Sequence, residues 1–325
     1  MKKSCLGGFK LPMQHDFLTF AEDKMRKISI VALALGAALT LSACSGGEDT
    51  SSSTPAAPGD TTSADTAKDE AIAALLPESV ASSGKIVFGT DPSYAPAEFL
   101  GDDGTTATGY DIDIAKAIAG VLGLTADIQS SSFDAIIPAI GTKYDAGISS
   151  FTINPDRLQQ VNMIQYFSAG SSFAVPAGNP NGVSADDLCG KIIGVQTSTV
   201  QDDDLADRII PECEAAGKPA PTPLQYDLQT DVTTALLGGK ADLMYADSPI
   251  IAYAIEQTGD KLEQLGDVFD TAPQGIVVAK DDAALTEAIQ NALQKLIDDG
   301  TYGDILAQWG VTDSAVETAE LNPAS

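Results

Sequence analysis

The chain has 325 residues, 44% of them hydrophobic, and a formal charge of -28. That length can bury the cores of two lobes, and that apolar fraction excludes a disordered protein. The acidity makes nucleic acid and anionic lipid surfaces poor partners.

From Met25 the sequence reads Arg26-Lys27, then an apolar run from Ile28 to Leu39, then Leu41-Ser42-Ala43-Cys44. A basic start, an apolar stretch too short to span a bilayer and small residues before a cut site describe an export signal. Its Leu-Ser-Ala-Cys ending resembles the bacterial lipoprotein box, which implies that Cys44 is acylated, with palmitate or a similar chain, and becomes the new N-terminus. Residues 1-24 resemble no export element, so translation is expected to begin at Met25, and 1-43 reads as leader and signal peptide. His15, the only histidine, goes with it, and the remainder keeps 12 basic and 43 acidic residues. Residues 44-70 are rich in Ser, Thr, Ala, Pro, Gly and Asp and cannot repay the entropy of folding, so they are expected to form a flexible tether.

The body runs from about Ala71 to Val311, followed by a polar tail over 314-325. In it, β-rich runs alternate with helical patterns, which predicts an α/β fold with largely parallel sheets. Lys85 to Thr90 reads as a buried strand and Asp111 to Leu122 as a helix. Asp111 and Asp113 suit the positive helix N-terminus, while Ile114, Ile118, Val121 and Leu122 form one apolar face. Strand Ala126 to Gln129, helix Phe133 to Ile140 and strand Asp145 to Ser149 follow.

Ile148 to Arg157 sets Ser149, Ser150 and Thr152 just upstream of an arginine, and beyond the signal the only other arginine is Arg208. A guanidinium forks onto a carboxylate with two parallel hydrogen bonds, and nearby hydroxyls and N–H groups complete the shell. The plain alternative is a solvated arginine after a Ser/Thr turn.

A second set begins with strand Ile192 to Val195, a helix after Val200 and a helix over Asp231 to Leu237. Strand Leu243 to Tyr245, a helix from Pro249, strand Ile276 to Ala279 and helices Ala283 to Asp298 and Tyr302 to Trp309 complete it. Cys189 and Cys213 remain as a pair once Cys5 and Cys44 are assigned to leader and lipid, so a disulfide is expected in an exported chain. Closing that loop of about 25 residues contributes on the order of 3 kcal/mol in the chain-entropy account. With no histidine and no third thiol, no metal site is expected.

Ala139 to Asp145 and Leu236 to Asp242 echo one another as a helix end, a Gly/Lys turn and a strand start. Registering Lys143 on Lys240 sets Ser150 opposite Asp247, each past the C-terminal end of an equivalent strand, where open α/β sheets bind ligands. Arg157 with Ser150 and Thr152 supplies an anion clamp, Asp247 an ammonium partner, and Tyr94 and Phe133 pocket walls. Asp247 before Ser-Pro also suits a helix N-cap, and Tyr94 and Phe133 also suit a core.

Gly109 to Ala119 resembles the signature of solute-binding family 3, the polar amino-acid-binding proteins of ABC importers. Thr90 to Phe99, Ser149 to Arg157, Gly194 to Thr199 and Gly300 to Trp309 agree with it in order. The resemblance covers about Lys85 to Val311 and implies a type II periplasmic-binding-protein-like fold: two open α/β sheets flanked by helices and joined by two crossover strands. These would lie near Phe167 to Phe173 and Asp270 to Gly275. Lobe 1 would be 71-170 plus 272-313, and lobe 2 would be 171-271 with the Cys189–Cys213 link inside it.

It also implies that Arg157 and the N–H groups around Thr199 and Val200 take a ligand carboxylate. Asp247 would take the ammonium, Ser149, Ser150 and Thr152 would line the site with further hydrogen bonds, and Asp91, Tyr94, Phe133 and Gln196 would line the side-chain pocket. Ser198 replaces a usual glycine, and Ala97 a frequent aromatic residue, which implies a roomier or more polar pocket. Asp91 adds a negative charge with no basic residue evident among the pocket positions, which disfavours acidic amino acids, so the ligand is expected to be a polar neutral or cationic amino acid. The expected partners are a free amino acid and ABC permease subunits, with the membrane touched only through the lipid at the outer face of the cytoplasmic membrane. The protein is expected to be a monomer with no cofactor and no catalysis. Rivals are an enzyme on the same fold resembling cyclohexadienyl dehydratase, a binder of an opine, ectoine or similar solute, and a passive envelope lipoprotein.

Overall fold

The computed structural model describes residues 66–324, so the expected signal peptide, Cys44 and most of the expected tether lie outside the described residues. Helices α1 (Glu70–Ala73) and α2 (Glu78–Ser83) lead into β1 (Lys85–Thr90) and a small antiparallel sheet of β2 (Ser93–Tyr94), β3 (Glu98–Leu100) and β4 (Ala107–Thr108). Then follow α3 (Tyr110–Val121), β5 (Thr125–Ser130), α4 (Phe133–Ile136), β6 (Ala146–Gly147), α5 (Pro155–Gln160) and β7 (Val161–Pro176). Next come β8 (Ile192–Gln196), α6 (Val200–Asp204), α7 (Ile210–Ala215), β9 (Thr222–Tyr226), α8 (Gln229–Leu237) and β10 (Leu243–Asp247). The rest is α9 (Ser248–Thr258), β11 (Leu262–Ala279), α10 (Ala283–Asp298) and α11 (Thr301–Gln308).

The main sheet runs β5-β1-β6-β11-β7-β10-β8-β9. Read from either edge, it gives the same sequence of roles: two parallel neighbours, a third parallel strand, then a long antiparallel one. This explains the echo between Ala139–Asp145 and Leu236–Asp242, because β6 and β10 are equivalent strands of two halves. The long strands β7 and β11 pair with each other along most of their length and reach into both halves, from Val277↔Met163 to Leu262↔Pro176. The expected crossover segments are thus the middles of longer strands. The sheet is mixed, with β7 and β11 antiparallel to their neighbours.

Helix α3 forms as its sequence dictates. Ile114, Ile118 and Val121 are fully buried and Leu122 is 1% exposed, each contributing roughly 1.5–3 kcal/mol against β1 and α10. Gly109 precedes it at φ 126°, where a side chain would collide with the Ala97 carbonyl.

Some elements depart from the sequence reading. The strand expected over Asp145 to Ser149 is only Ala146–Gly147. Gly147 is wedged where a Cβ would lie 2.7 Å from Val277 and 2.9 Å from Ile136, and Ser150 then turns the chain at φ 49°. Strand β9 went unpredicted because its edge position leaves a polar Thr-Pro-Leu-Gln-Tyr run half exposed. The tail is docked: Gln165 N donates to Glu320 O, and Asn322 N to Met163 O, both at 2.8 Å, extending the sheet beside β7. Ala97 is fully buried in the core and is not among the residues lining the cavity described below, so a pocket widened at this position gains no support. Cys189 and Cys213 are joined as a disulfide with their Cα atoms 5.6 Å apart, tying the loop before β8 to α7.

Candidate functional site

Asp91, Tyr94, Phe133, Ser149, Ser150, Thr152, Arg157, Gln196, Thr199, Val200 and Asp247 all line one narrow cavity between the strand ends, with about 290 Å³ of space between its atoms, part of it open to solvent. They come from strand ends and helix starts of both halves: Asp91 and Ser149–Ser150 follow β1 and β6, while Gln196 and Asp247 end β8 and β10. Glu98 and Gln201 complete the lining.

Arg157 is carried by α5, whose first turn is capped by Asn154 Oδ1 accepting from Arg157 N at 2.8 Å, with Pro155 at the first helical position. Arg157 is 8% exposed, and its guanidinium lies 5.4 Å from the centre of the Phe133 ring and 5.7 Å from that of Phe151. Nη1 donates to Thr152 O at 2.9 Å and Nη2 to Ser198 O at 3.1 Å, so the arginine bridges the two halves. A guanidinium has five N–H donors, and these two bonds leave three for a planar anion. The solvated-arginine alternative therefore fails. Arg208 is spent elsewhere, on Asp204 through Nε and Nη2, each at 2.7 Å.

Ser198 adopts φ 63°, the left-handed conformation a glycine would take readily, so the serine keeps the loop geometry at a backbone cost. Thr199 then caps α6 by accepting from Asp202 N, and the N–H groups at this helix start have no intrahelical acceptor.

Asp247 occupies the N-cap position of α9 but makes no side-chain cap. Its carboxylate turns to the cavity, where Oδ1 accepts from Gln201 Nε2 at 2.7 Å and Oδ2 from Gln274 Nε2 at 2.8 Å. Its own N donates to Tyr94 Oη at 3.2 Å, which locks that ring as a buried wall. Burial pushes the Asp247 carboxyl up to about 6, partly offset by these hydrogen bonds and by Arg157. With four lone-pair positions and three engaged, by Gln201, Gln274 and Tyr94, it retains capacity for a cation.

Asp91 is 1% exposed; Oδ2 accepts from Gln196 Nε2 at 2.8 Å, and Oδ1 has no hydrogen-bond partner. Burial pushes this carboxyl to about 6 as well. Ser149 Oγ accepts from Asp91 N at 3.0 Å, and Ser150 Oγ is buried with no partner. Phe133 stacks on Phe151 with centroids 4.8 Å apart.

Glu98, Gln201 and Gln274 escaped the sequence reading. Gln201 follows the Thr199 cap by two residues, a first-turn position that was a usable signal. Gln274 sits in a strand whose partner Thr152 lies far away in sequence, and nothing local marks it.

Two lobes sharing a pair of long strands, with a buried charged cavity where their strand ends meet, define a type II periplasmic-binding-protein fold. The chain belongs to the bacterial extracellular solute-binding proteins, family 3, whose profile matches residues 86–312. It is 35% identical over 253 residues to the arginine-binding protein ArgT of Corynebacterium glutamicum, covering 77% of this chain and 82% of that one. It is 30% identical to ABC transporter arginine-binding protein 1 of Escherichia coli, covering 69% and 90%. Among solved structures, an ancestral arginine-binding protein bound to arginine matches with a TM-score of 0.64 at 31% identity, over 70% of this chain and 98% of that one.

Proposed function

We propose that this chain is the exported binding subunit of an ABC amino-acid importer, and that its ligand is a cationic amino acid, arginine foremost. Lobe 1 comprises 71-170 and 272-313, and lobe 2 comprises 171-271. Arg157 and the N–H groups of Thr199 and Val200 take the α-carboxylate. Asp247 and Ser150 Oγ take the ammonium, with Thr152 and Ser149 holding the loop around it. The side chain runs between Tyr94 and Phe133 to Asp91, which Gln196 orients.

The observation that carries this reading is one cavity holding a buried guanidinium with donors to spare and two buried carboxylates with acceptors to spare. A zwitterion satisfies the Arg157 and Asp247 ends, and a cationic side chain satisfies the free Asp91 oxygen. The arginine-binding names of relatives at 35% and 30% identity support the choice of side chain.

Because residues of both lobes contact the ligand, it favours the closed form, and closure is what permease subunits recognise. The protein works as a monomer held at the outer face of the cytoplasmic membrane by the lipid on Cys44. Calorimetric titration with the common amino acids, opines and ectoine tests the ligand: micromolar binding of arginine supports the reading, and binding of none refutes it.

A second reading rests on the raised carboxyls in the cavity, which titrate near pH 6 and so can serve as proton acceptors at neutral pH, and on similarity to an ancestral binding protein described as a precursor of cyclohexadienyl dehydratase, at 26% identity and a TM-score of 0.62. Product formation from prephenate or arogenate would decide for it.

A further inference from the structure

Two acids meet at the edge of the cavity. Glu98 in β3 and Asp111 in the first turn of α3 are 1% and 0% exposed, and their carboxyls hydrogen-bond to one another. Each also accepts from one of two consecutive loop residues: Glu98 Oε1 from Ser149 Oγ at 2.7 Å, and Asp111 Oδ2 from Ser150 N at 3.0 Å. The remaining oxygens, Glu98 Oε2 and Asp111 Oδ1, have no hydrogen-bond partner at ordinary distance, while the Tyr166 and Ser150 hydroxyls lie near enough to favour the ionised form of Asp111.

A carboxyl–carboxyl hydrogen bond requires a proton, and two adjacent buried acids do not ionise together. The titratable groups facing the pair are Asp91 after β1, Tyr94 in β2, Tyr110 on α3 and Tyr166 on β7. All are acids, and no lysine or arginine stands among them to support a second charge. Burial and the neighbouring charge push Glu98 well above the usual carboxylate range, and burial raises Asp111 less far.

We propose that Glu98 is a protonated positioning residue of the ligand site, its Oε2–H donated to Asp111 Oδ1, and that this one proton sets both loop geometry and cavity charge. The proton keeps the two acids together, and they in turn hold Ser149 against Asp91 N and Ser150 in its left-handed turn at φ 49°. It also fixes what the ligand meets. With Glu98 neutral, the lining carries Asp91 and Asp247 against Arg157, a net of one negative charge, which matches an amino acid bearing one net positive charge. An ionised Glu98 would call for a second positive charge.

The link to ligand affinity rests on the amino-acid reading above, whereas the proton itself does not, and two measurements separate them. In infrared difference spectra of ligand-free protein at pH 8, wild type minus E98Q shows the carbonyl stretch of a neutral carboxylic acid. Carboxylate bands alone would overturn the proposal whatever the protein binds. In calorimetry with arginine at pH 7.5, E98Q, which keeps a neutral donor, retains affinity within about threefold, while Glu98→Ala loses at least about tenfold, the worth of a buried hydrogen bond. Equal losses in both variants would overturn the proposal by showing that the carboxyl acts as an anion. Failure of E98Q to fold would overturn it too, since a neutral isostere should be accepted there.

Discussion

Replacing Asp91 by Asn keeps the shape of the side-chain end of the cavity and removes its charge. In the free protein this carboxylate is 1% exposed and held near 6 instead of the ordinary 3.8, chiefly by burial. A shift of that size costs on the order of 3 kcal/mol of folding stability at neutral pH. The sign follows from an acid whose folded pKa is raised: the cost is absent below about 4 and complete above about 6. Asp91→Asn should therefore unfold at higher temperature than wild type at pH 7.5, with the advantage vanishing at pH 4. Ligand binding should respond in the opposite direction. Removing one partner of a buried charge pair costs about 2–5 kcal/mol, so arginine affinity should fall from about thirty-fold to several thousand-fold. Citrulline, with the same shape and a neutral end, should change by about threefold or less, because no charge pair is lost. Isothermal titration of both ligands against both proteins makes the comparison. Equal losses for arginine and citrulline, or no loss for arginine, would refute the argument that Asp91 reads a cationic side chain.

Arg157→Lys should weaken every amino acid by at least about tenfold, since a lysine cannot fork onto a carboxylate while also reaching Thr152 O and Ser198 O; calorimetry with a ligand panel reads this, and a loss confined to one ligand would count against a backbone clamp. Affinity for a cationic ligand should drop below pH 6, where Asp91 and Asp247 protonate. At pH 5 the loss should be about tenfold per group relative to pH 7.5, observed by titration across buffers and accompanied by proton release on binding. Reducing Cys189–Cys213, or changing both to Ser, should lower stability by on the order of 3 kcal/mol in denaturant melts while leaving ligand affinity within about threefold, because the bridge does not line the cavity.

The sequence exposed the site more fully than the sheet. Helix α3 and strand β1 were legible because their apolar periodicity is undiluted by solvent, and α10 was read to the residue. Ser149, Ser150, Thr152 and Arg157 could be gathered because one contiguous strand-end loop carries them, and Tyr94, Phe133 and Asp247 from their types near strand ends, whereas Asp91, Gln196, Thr199 and Val200 were placed only by the family resemblance. Strands β7 and β11 were read short because their middles alternate small, polar and apolar residues while pairing across more than a hundred positions of sequence. Strand β6 was read long because Gly147 is packed against Val277 and Ile136 and Ser150 turns the chain at φ 49°, features no local pattern reveals. Gln274 and the Glu98–Asp111 contact were hidden for the same reason. Each depends on a neighbour that only the folded chain supplies.

Titration of the purified, ligand-stripped protein with arginine, lysine, glutamine and glutamate at pH 7.5 tests the cationic amino-acid reading most directly. Arginine is predicted to bind at micromolar concentration or below, more tightly than glutamine, with glutamate not bound because Asp91 and Asp247 repel a second carboxylate. Glutamate binding as tightly as arginine, or no binding by any of the four, would contradict it.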